Sequence, residues 1–270
     1  MVRDFTHATL GRTGRQVFRL GIAASYLPGR KALVHALDSG VNYFFGFGLD
    51  RQLVTFFRDL PSSLKQHIIL GTGAYSYIWT RQNFRATMEK RLRQFRTDRI
   101  DVFHFLGVMK PEDFPPSLLD QLVRLKEDGR VRAVAISCHD RRFAGQLAAS
   151  GALDILMIRY NAAHRGAELE IFPHVGAHGV GVISYTATRW TALLRRPGTW
   201  PRDGRIPTAG EAYRFVLSNA HVDVCLSAPR NLRQLHENLE ALNRGPLSSE
   251  EMDFIRSFGD AVHNERRWFM

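Results

Sequence analysis

One rhythm constrains this chain more than any other feature. A short β-branched or apolar run, a turn and a longer amphipathic segment follow one another eight times. Short continuous apolar runs suit strands buried on both faces, and the segments between them are long enough to be crossover helices. The strand candidates are 19–24, 42–46, 67–72, 100–106, 131–137, 155–161, 180–186 and 223–228. Helix candidates lie between them at 29–39, 49–60, 80–96, 115–128, 140–150, 167–178, 209–219 and 231–243. Ala8 to Leu10 and Gln16 to Phe18, joined by Gly11-Arg12-Thr13-Gly14, read as a hairpin ahead of the repeat.

Several ends are marked by local chemistry. Gly40, Gly129 and Gly179 fall just past helices, where a left-handed residue closes the last turn. Thr80, Asp140 and Asn231 stand where a side-chain oxygen would cap a first turn. Ser248 with Glu251 forms a capping box for a terminal helix over 248–264. Eight strand–helix pairs can close on themselves, and 270 residues suit one barrel of about 250 residues. An open doubly wound sheet competes, but it needs a Gly-rich phosphate loop after its first strand; Gly21-Ile22-Ala23-Ala24-Ser25 is not one. The expectation is an α/β protein, a (β/α)8 TIM barrel with an N-terminal β-hairpin and an extra C-terminal helix, forming a single domain over 1–270.

Met1 to Leu10 is polar and no apolar run is long enough to span a bilayer, so neither a signal peptide nor membrane attachment is expected. Cys138 and Cys225 lack metal spacing, and the expected compartment is the cytosol. The formal charge of +11 raises nucleic-acid binding. That function wants basic residues gathered in one stripe with aromatics between them. Here arginines are scattered along helices, many beside acids, as in Arg124, Lys126, Glu127, Asp128 and Arg130. A solvated arginine-rich surface is expected, and no nucleic-acid partner. Its positive field would still favour an anionic ligand such as a dinucleotide phosphate.

Particular segments resemble the aldo-keto reductases, in that family's order. They include Leu10-Gly11-Arg12-Thr13-Gly14 with Arg19-Leu20-Gly21, Ala36 to Phe44, Leu92 to Asp101, and Gly129 to Ser137. Tyr160-Asn161, Ser184-Tyr185 and Glu237-Asn238 complete the series. The resemblance implies NADP(H) as cofactor and a site at the C-terminal ends of the strands, where a Tyr donates a proton to a carbonyl, assisted by Asp, Lys and His. At those four positions this chain has Phe45 for the Asp, Asp50 for the Tyr, Gly73 for the Lys and Leu106 for the His. Without an ammonium nearby, nothing brings a tyrosine down from its usual value of about 10. The family's standard mechanism is therefore not expected.

By the same resemblance Ser137 and Tyr185 would hold the nicotinamide, although its Asn and Gln companions are here Cys138 and Met157. Ser227, Arg230, Gln234, Glu237 and Asn238 would hold the adenosine end. A strand end followed by a helix N-terminus suits phosphate, and an arginine can pair a 2′-phosphate. A further polar set follows strands five and six: His139, Arg159 and His164, with Arg141, Asn161 and Glu168. Parity puts Arg159 on the inward face, where its charge calls for Glu168 or an anionic small-molecule substrate. His104 shares the inward face of Leu106 one layer deeper, and is either a displaced acid or a satisfied core histidine.

Three functions remain open at this point. The leading one is an NADP(H)-dependent oxidoreductase, or an enzyme derived from one, with His139, Arg159, His164 or His104 in catalytic roles. The others are a non-redox isomerase, cyclase or lyase working through the same acid–base pocket, and a non-catalytic barrel acting as a binding or regulatory subunit.

Overall fold

The structure is a computed structural model that describes residues 4–47, 50–75 and 83–265. A hairpin of β1 (His7–Thr9) and β2 (Gln16–Phe18) precedes eight parallel strands. These are β3 (Leu20–Ala23), β4 (Tyr43–Phe45), β5 (Ile69–Tyr75), β6 (Ile100–Val108), β7 (Val131–Cys138), β8 (Ile155–Arg159), β9 (Gly181–Tyr185) and β10 (Val224–Ser227). They close in chain order, with β10 returning to pair beside β3. The expected (β/α)8 barrel, its hairpin and its terminal helix Ser249–Glu265 are all present.

Strand alternation builds two cores from one sheet. Tyr43, Val102, Ala133, Ile155, Ile183 and Val224 point inward and fill the barrel. Leu10 and Val17 join the same cluster, so the hairpin plugs the N-terminal end of the barrel. Gly11 lets it dock: its φ is +45° and a Cβ there would lie 2.3 Å from the Gly181 nitrogen. The alternate strand residues face the helices. Helix Arg51–Asp59, for example, buries Leu53, Phe56 and Phe57, each side chain contributing about 1.5–3 kcal/mol relative to exposure. Arg19, also buried, donates to the carbonyls of Leu217 at 2.8 Å and Val222 at 2.7 Å. It thereby satisfies a carbonyl in the last turn of helix Ala209–Ser218, where a cation also suits the helix dipole.

The caps at Asp140 and Asn231 form, accepting from Phe143 and Gln234, and Gly40, Gly129 and Gly179 take positive φ. The Ser248–Glu251 box forms in both directions. Thr80 lies outside the described residues; helix Phe84–Phe95 is capped by Asn83, which accepts from Ala86. The helix expected over 167–178 is two short turns, Ala167–Glu170 and Phe172–Val175. Pro173, without an N–H, cannot continue the first turn into the second. Among the described residues no helix is long and apolar enough to cross a membrane.

Candidate active site

The polar groups at the C-terminal end of the barrel converge where β7, β8 and β9 finish. The β6–β7 ladder shifts register between Phe105 and Val108 and resumes at Val108↔Cys138, and the His139 N–H donates to the Val108 carbonyl at 2.8 Å. One residue on, Asp140 caps helix Arg141–Ser150, so His139 is held from both sides. Its Nε2 lies 3.1 Å from the Tyr185 hydroxyl, while its Nδ1 is buried without a hydrogen-bond partner. Arg159 and Tyr185 are register partners on adjacent strands and share the inward face. Burial, then the Arg159 charge, lowers the His139 pKa, so its imidazole is neutral near pH 7. Burial also lowers the Arg159 pKa; negative charge on Tyr185 would oppose that shift, and Arg141 adds to it.

His164 lines the same narrow crevice with His139, Arg141 and Arg159. It is nearly enclosed, its Nδ1 3.3 Å from the Asn161 carbonyl oxygen and its ring against His263. Burial, with Arg159 and Arg189 next, takes it down to about 3, which leaves it neutral across the working range. Asn161 fastens the loops together by donating to the Thr186 carbonyl at 2.9 Å. Thr186, Arg189, Trp190 and Thr191 all have positive φ, and Arg189 is buried with its guanidinium on the Val262 carbonyl. Glu168 is not the partner that the sequence offered to Arg159. It accepts from the Tyr160 hydroxyl at 2.7 Å and pairs with Arg256 at 2.8 Å, drawn toward the terminal helix.

Across the mouth, β4 to β6 present aromatic and backbone groups. Phe45 packs on His104 at 5.1 Å and on Phe47 at 4.9 Å, and Phe47 meets Tyr75 at 5.2 Å. A Cβ on Gly73 would lie 1.8 Å from the His104 carbonyl oxygen, so this backbone has no room for any side chain there. The Gly73 carbonyl accepts from Arg91 at 3.2 Å, and Asp50 accepts from the Phe47 N–H at 2.6 Å. Tyr75 is pushed up to about 12 by burial, with the charges of Asp50 and Tyr185 adding to it. His104 is fully enclosed, its Nε2 3.0 Å from the Tyr43 hydroxyl, and burial takes it down to about 3. It belongs to the core beneath the mouth.

At the other side of the rim, helix Leu232–Asn243 follows β10. Asn238 donates to the buried Ser227 hydroxyl at 3.1 Å, and Ser227 donates on to Tyr213 at 3.1 Å. Gln234 accepts from the Arg230 N–H at 2.9 Å, and Glu237 pairs with Arg233 at 3.3 Å. The exposed Arg230 guanidinium lies 5.0 Å from the centre of the Tyr26 ring. No group of carboxylates, cysteines and histidines suited to a metal ion occurs among the described residues.

Residues 63–201 match the model of the aldo/keto reductase family. The chain belongs to the aldo/keto reductase family. Its fold is similar to that of an aldo-keto reductase from Bacillus halodurans in its holo form (TM-score 0.74, 22% identity, 95% of this chain and 97% of that one). The apo form of that protein gives a TM-score of 0.71 at 21% identity, over 95% and 96% of the two chains. A protein of Pseudomonas aeruginosa assigned to the aldo-keto reductases gives 0.69 at 19%, over 90% of this chain and 98% of that one. No curated protein matches the sequence.

Within this family member, the structure brings His139, Arg159, His164, Ser137 and Tyr185 to one mouth. Arg230, Gln234 and Glu237 stand on the rim, while Ser227 and Asn238 are buried between β10 and the helix that follows it and bind each other. Two residues escaped the sequence reading. Tyr75 ends β5 on the same inward parity as Gly73, a signal that was there to be used. Tyr26 reaches Arg230 because the first and last strands close the barrel, which makes their following loops neighbours.

Proposed function

We propose that this oxidoreductase-family chain is an NADP(H)-dependent reductase of a small carbonyl compound, in which Tyr185 donates the proton in a site rearranged around His139 and Arg159. The observation that carries it is the 3.1 Å contact between the Tyr185 hydroxyl and His139 Nε2, beside Arg159.

The residues present fit the cofactor. Arg230 pairs with no carboxylate among the described residues, lies over an aromatic ring, and sits at the start of a helix of 12 residues. A 2′-phosphate suits that guanidinium and the helix N-terminus beside it. Ser137 would hold the carboxamide of the nicotinamide. The chemistry supplied by bound NADPH is hydride for the carbonyl carbon.

The chain's own residues then handle the proton. His139 is neutral, and its Nδ1 has no acceptor, so the ring proton belongs on Nε2, where it donates to the Tyr185 oxygen. An unpaired buried acceptor costs less than an unpaired buried N–H. That donation directs the phenolic proton toward the substrate oxygen. The phenolate left behind keeps the His139 hydrogen bond and the field of Arg159, which replace the ammonium of the family's usual Lys. Arg159 also favours a substrate with a negative charge near its carbonyl.

A panel of aldehydes and keto acids, followed by NADPH absorbance, tests the assignment. Tyr185→Phe should lower kcat about 10²–10⁴-fold with NADPH affinity retained. Wild-type turnover by that variant overturns it, as does a wild-type chain that consumes no NADPH with any of the panel.

A further inference from the structure

At the opposite end of the barrel, the hairpin and the first residues of β5, β6 and β7 enclose a cleft of about 390 Å³. That volume falls within the range of small-molecule sites. Beneath it lie Leu10 of the hairpin and Ile69, Val102 and Ala133 of the barrel, all closed off in the core. Arg15 and Arg132 line the cleft, and Arg99 stands behind them on the same carboxylate, Asp101.

The charges there do not balance. Asp101, nearly buried, spends one oxygen on the Leu70 N–H at 3.0 Å. Its other oxygen faces Arg132 at 3.4 Å and Arg99 at 3.6 Å, both long for charge-assisted contacts. The Arg99 Nε is buried with no hydrogen-bond partner, and Arg15 donates to a backbone carbonyl, that of Gln66, at 3.3 Å. Three guanidinium groups therefore gather round one carboxylate among the described residues, Arg99 and Arg132 against it and Arg15 within its field. Burial and the repulsion of Arg99 and Arg15 lower the Arg132 pKa, while Asp101 opposes them, as expected for a cation short of negative partners. The N-terminal face of such barrels ordinarily serves stability. A face built for stability would neutralise its own charges, and this one leaves a surplus of two.

We propose that this cleft, at the end of the barrel remote from the mouth, binds a small organic anion: a carboxylate or phosphate monoester head between Arg15 and Arg132, at the seam between the hairpin and the barrel. Such a ligand bridges the hairpin to β5–β7 and holds the plug against the barrel. The site is independent of the mouth, so its occupancy does not depend on how the mouth works.

Calorimetric titration of the intact chain with octanoate, octyl phosphate and octanol tests this. Saturable one-to-one binding of at least one anion is expected, and the tighter of the two identifies the head group. Octanol should bind at least about tenfold more weakly than that anion, and Arg132→Gln and Arg15→Gln should each weaken the anion about tenfold. Both variants should melt as the wild type does, since these side chains are partly exposed. Binding should also slow amide hydrogen exchange in residues 10–15 of the hairpin. Arg159→Gln, at the mouth, should leave binding unchanged. The proposal is overturned if neither anion binds at up to about 5 mM, if octanol binds as well, or if Arg159→Gln and not the two cleft variants abolishes binding.

Discussion

Adding one methyl group at Gly73 tests whether the place that the resemblance assigns to a lysine is physically closed. The new Cβ would lie 1.8 Å from the His104 carbonyl oxygen, 2.6 Å from its carbonyl carbon and 2.8 Å from its nitrogen. Ordinary contact begins at 3.4 Å, so the overlap with the oxygen alone is severe. All three atoms are backbone, and no side-chain rotation relieves them. β5 and β6 would have to part along the ladder from Gly71↔Val102 to Tyr75↔Leu106. That movement also disturbs the Gly73 carbonyl, which holds Arg91 at 3.2 Å through two nitrogens. Overfilling a packed interior costs about 1–3 kcal/mol, and a backbone obstacle puts Gly73→Ala at the upper end, roughly 3 kcal/mol. At about 2–4 °C per kcal/mol for a chain of this size, calorimetry should show Tm lower by about 6–12 °C. Gly176→Ala, with nothing within 4 Å of its Cβ, is the control and should melt as the wild type does. If Gly73→Ala melts within about 2 °C of wild type, the closure is wrong and a lysine there is sterically admissible.

Tyr43→Phe strips His104 of its hydrogen bond inside a closed core and should cost about 1–3 kcal/mol in urea unfolding; an unchanged midpoint would contradict the pairing. Glu251 is held at about 2 by hydrogen bonds from Arg214 and the Ser248 N–H, against 4.5 for an ordinary glutamate. Its folded value lies below its unfolded one, so it contributes stability above about pH 4.5 that disappears as pH falls toward 2. Glu251→Gln should therefore flatten the fall of Tm across that window, and an equal slope in both proteins would refute the linkage. Because burial and Arg159 lower the His139 pKa from 6.5, kcat should lose activity only below pH 6.5, and His139→Gln should lack that acid limb. A wild-type limb centred above pH 7 would count against a neutral His139.

The barrel was legible because its signals are local and repeated. Gly40, Gly129, Gly179, Asp140 and Asn231 mark element ends by their own backbone and side-chain chemistry, and each does so in the folded chain. The errors lie where one local signal yields to another, as at Pro173, which divides a helix that the apolar spacing alone would continue. At the site, parity correctly turned Arg159 inward and put His104 below Leu106. Parity could not say which partner a side chain would choose. Glu168 turns to Arg256, a residue 88 positions away on the terminal helix. Nor could it foresee that Tyr185 would meet His139, a contact made across a barrel mouth by two strand ends that do not pair with each other.

Fluorescence titration of the purified chain with NADPH bears most directly on the central claim, that a reductase barrel keeps its cofactor while its proton donor has moved. Saturable binding at micromolar cofactor is expected, weakened about tenfold or more by Arg230→Gln and unaffected by Tyr185→Phe. No binding at high micromolar NADPH, or binding indifferent to Arg230, would contradict it.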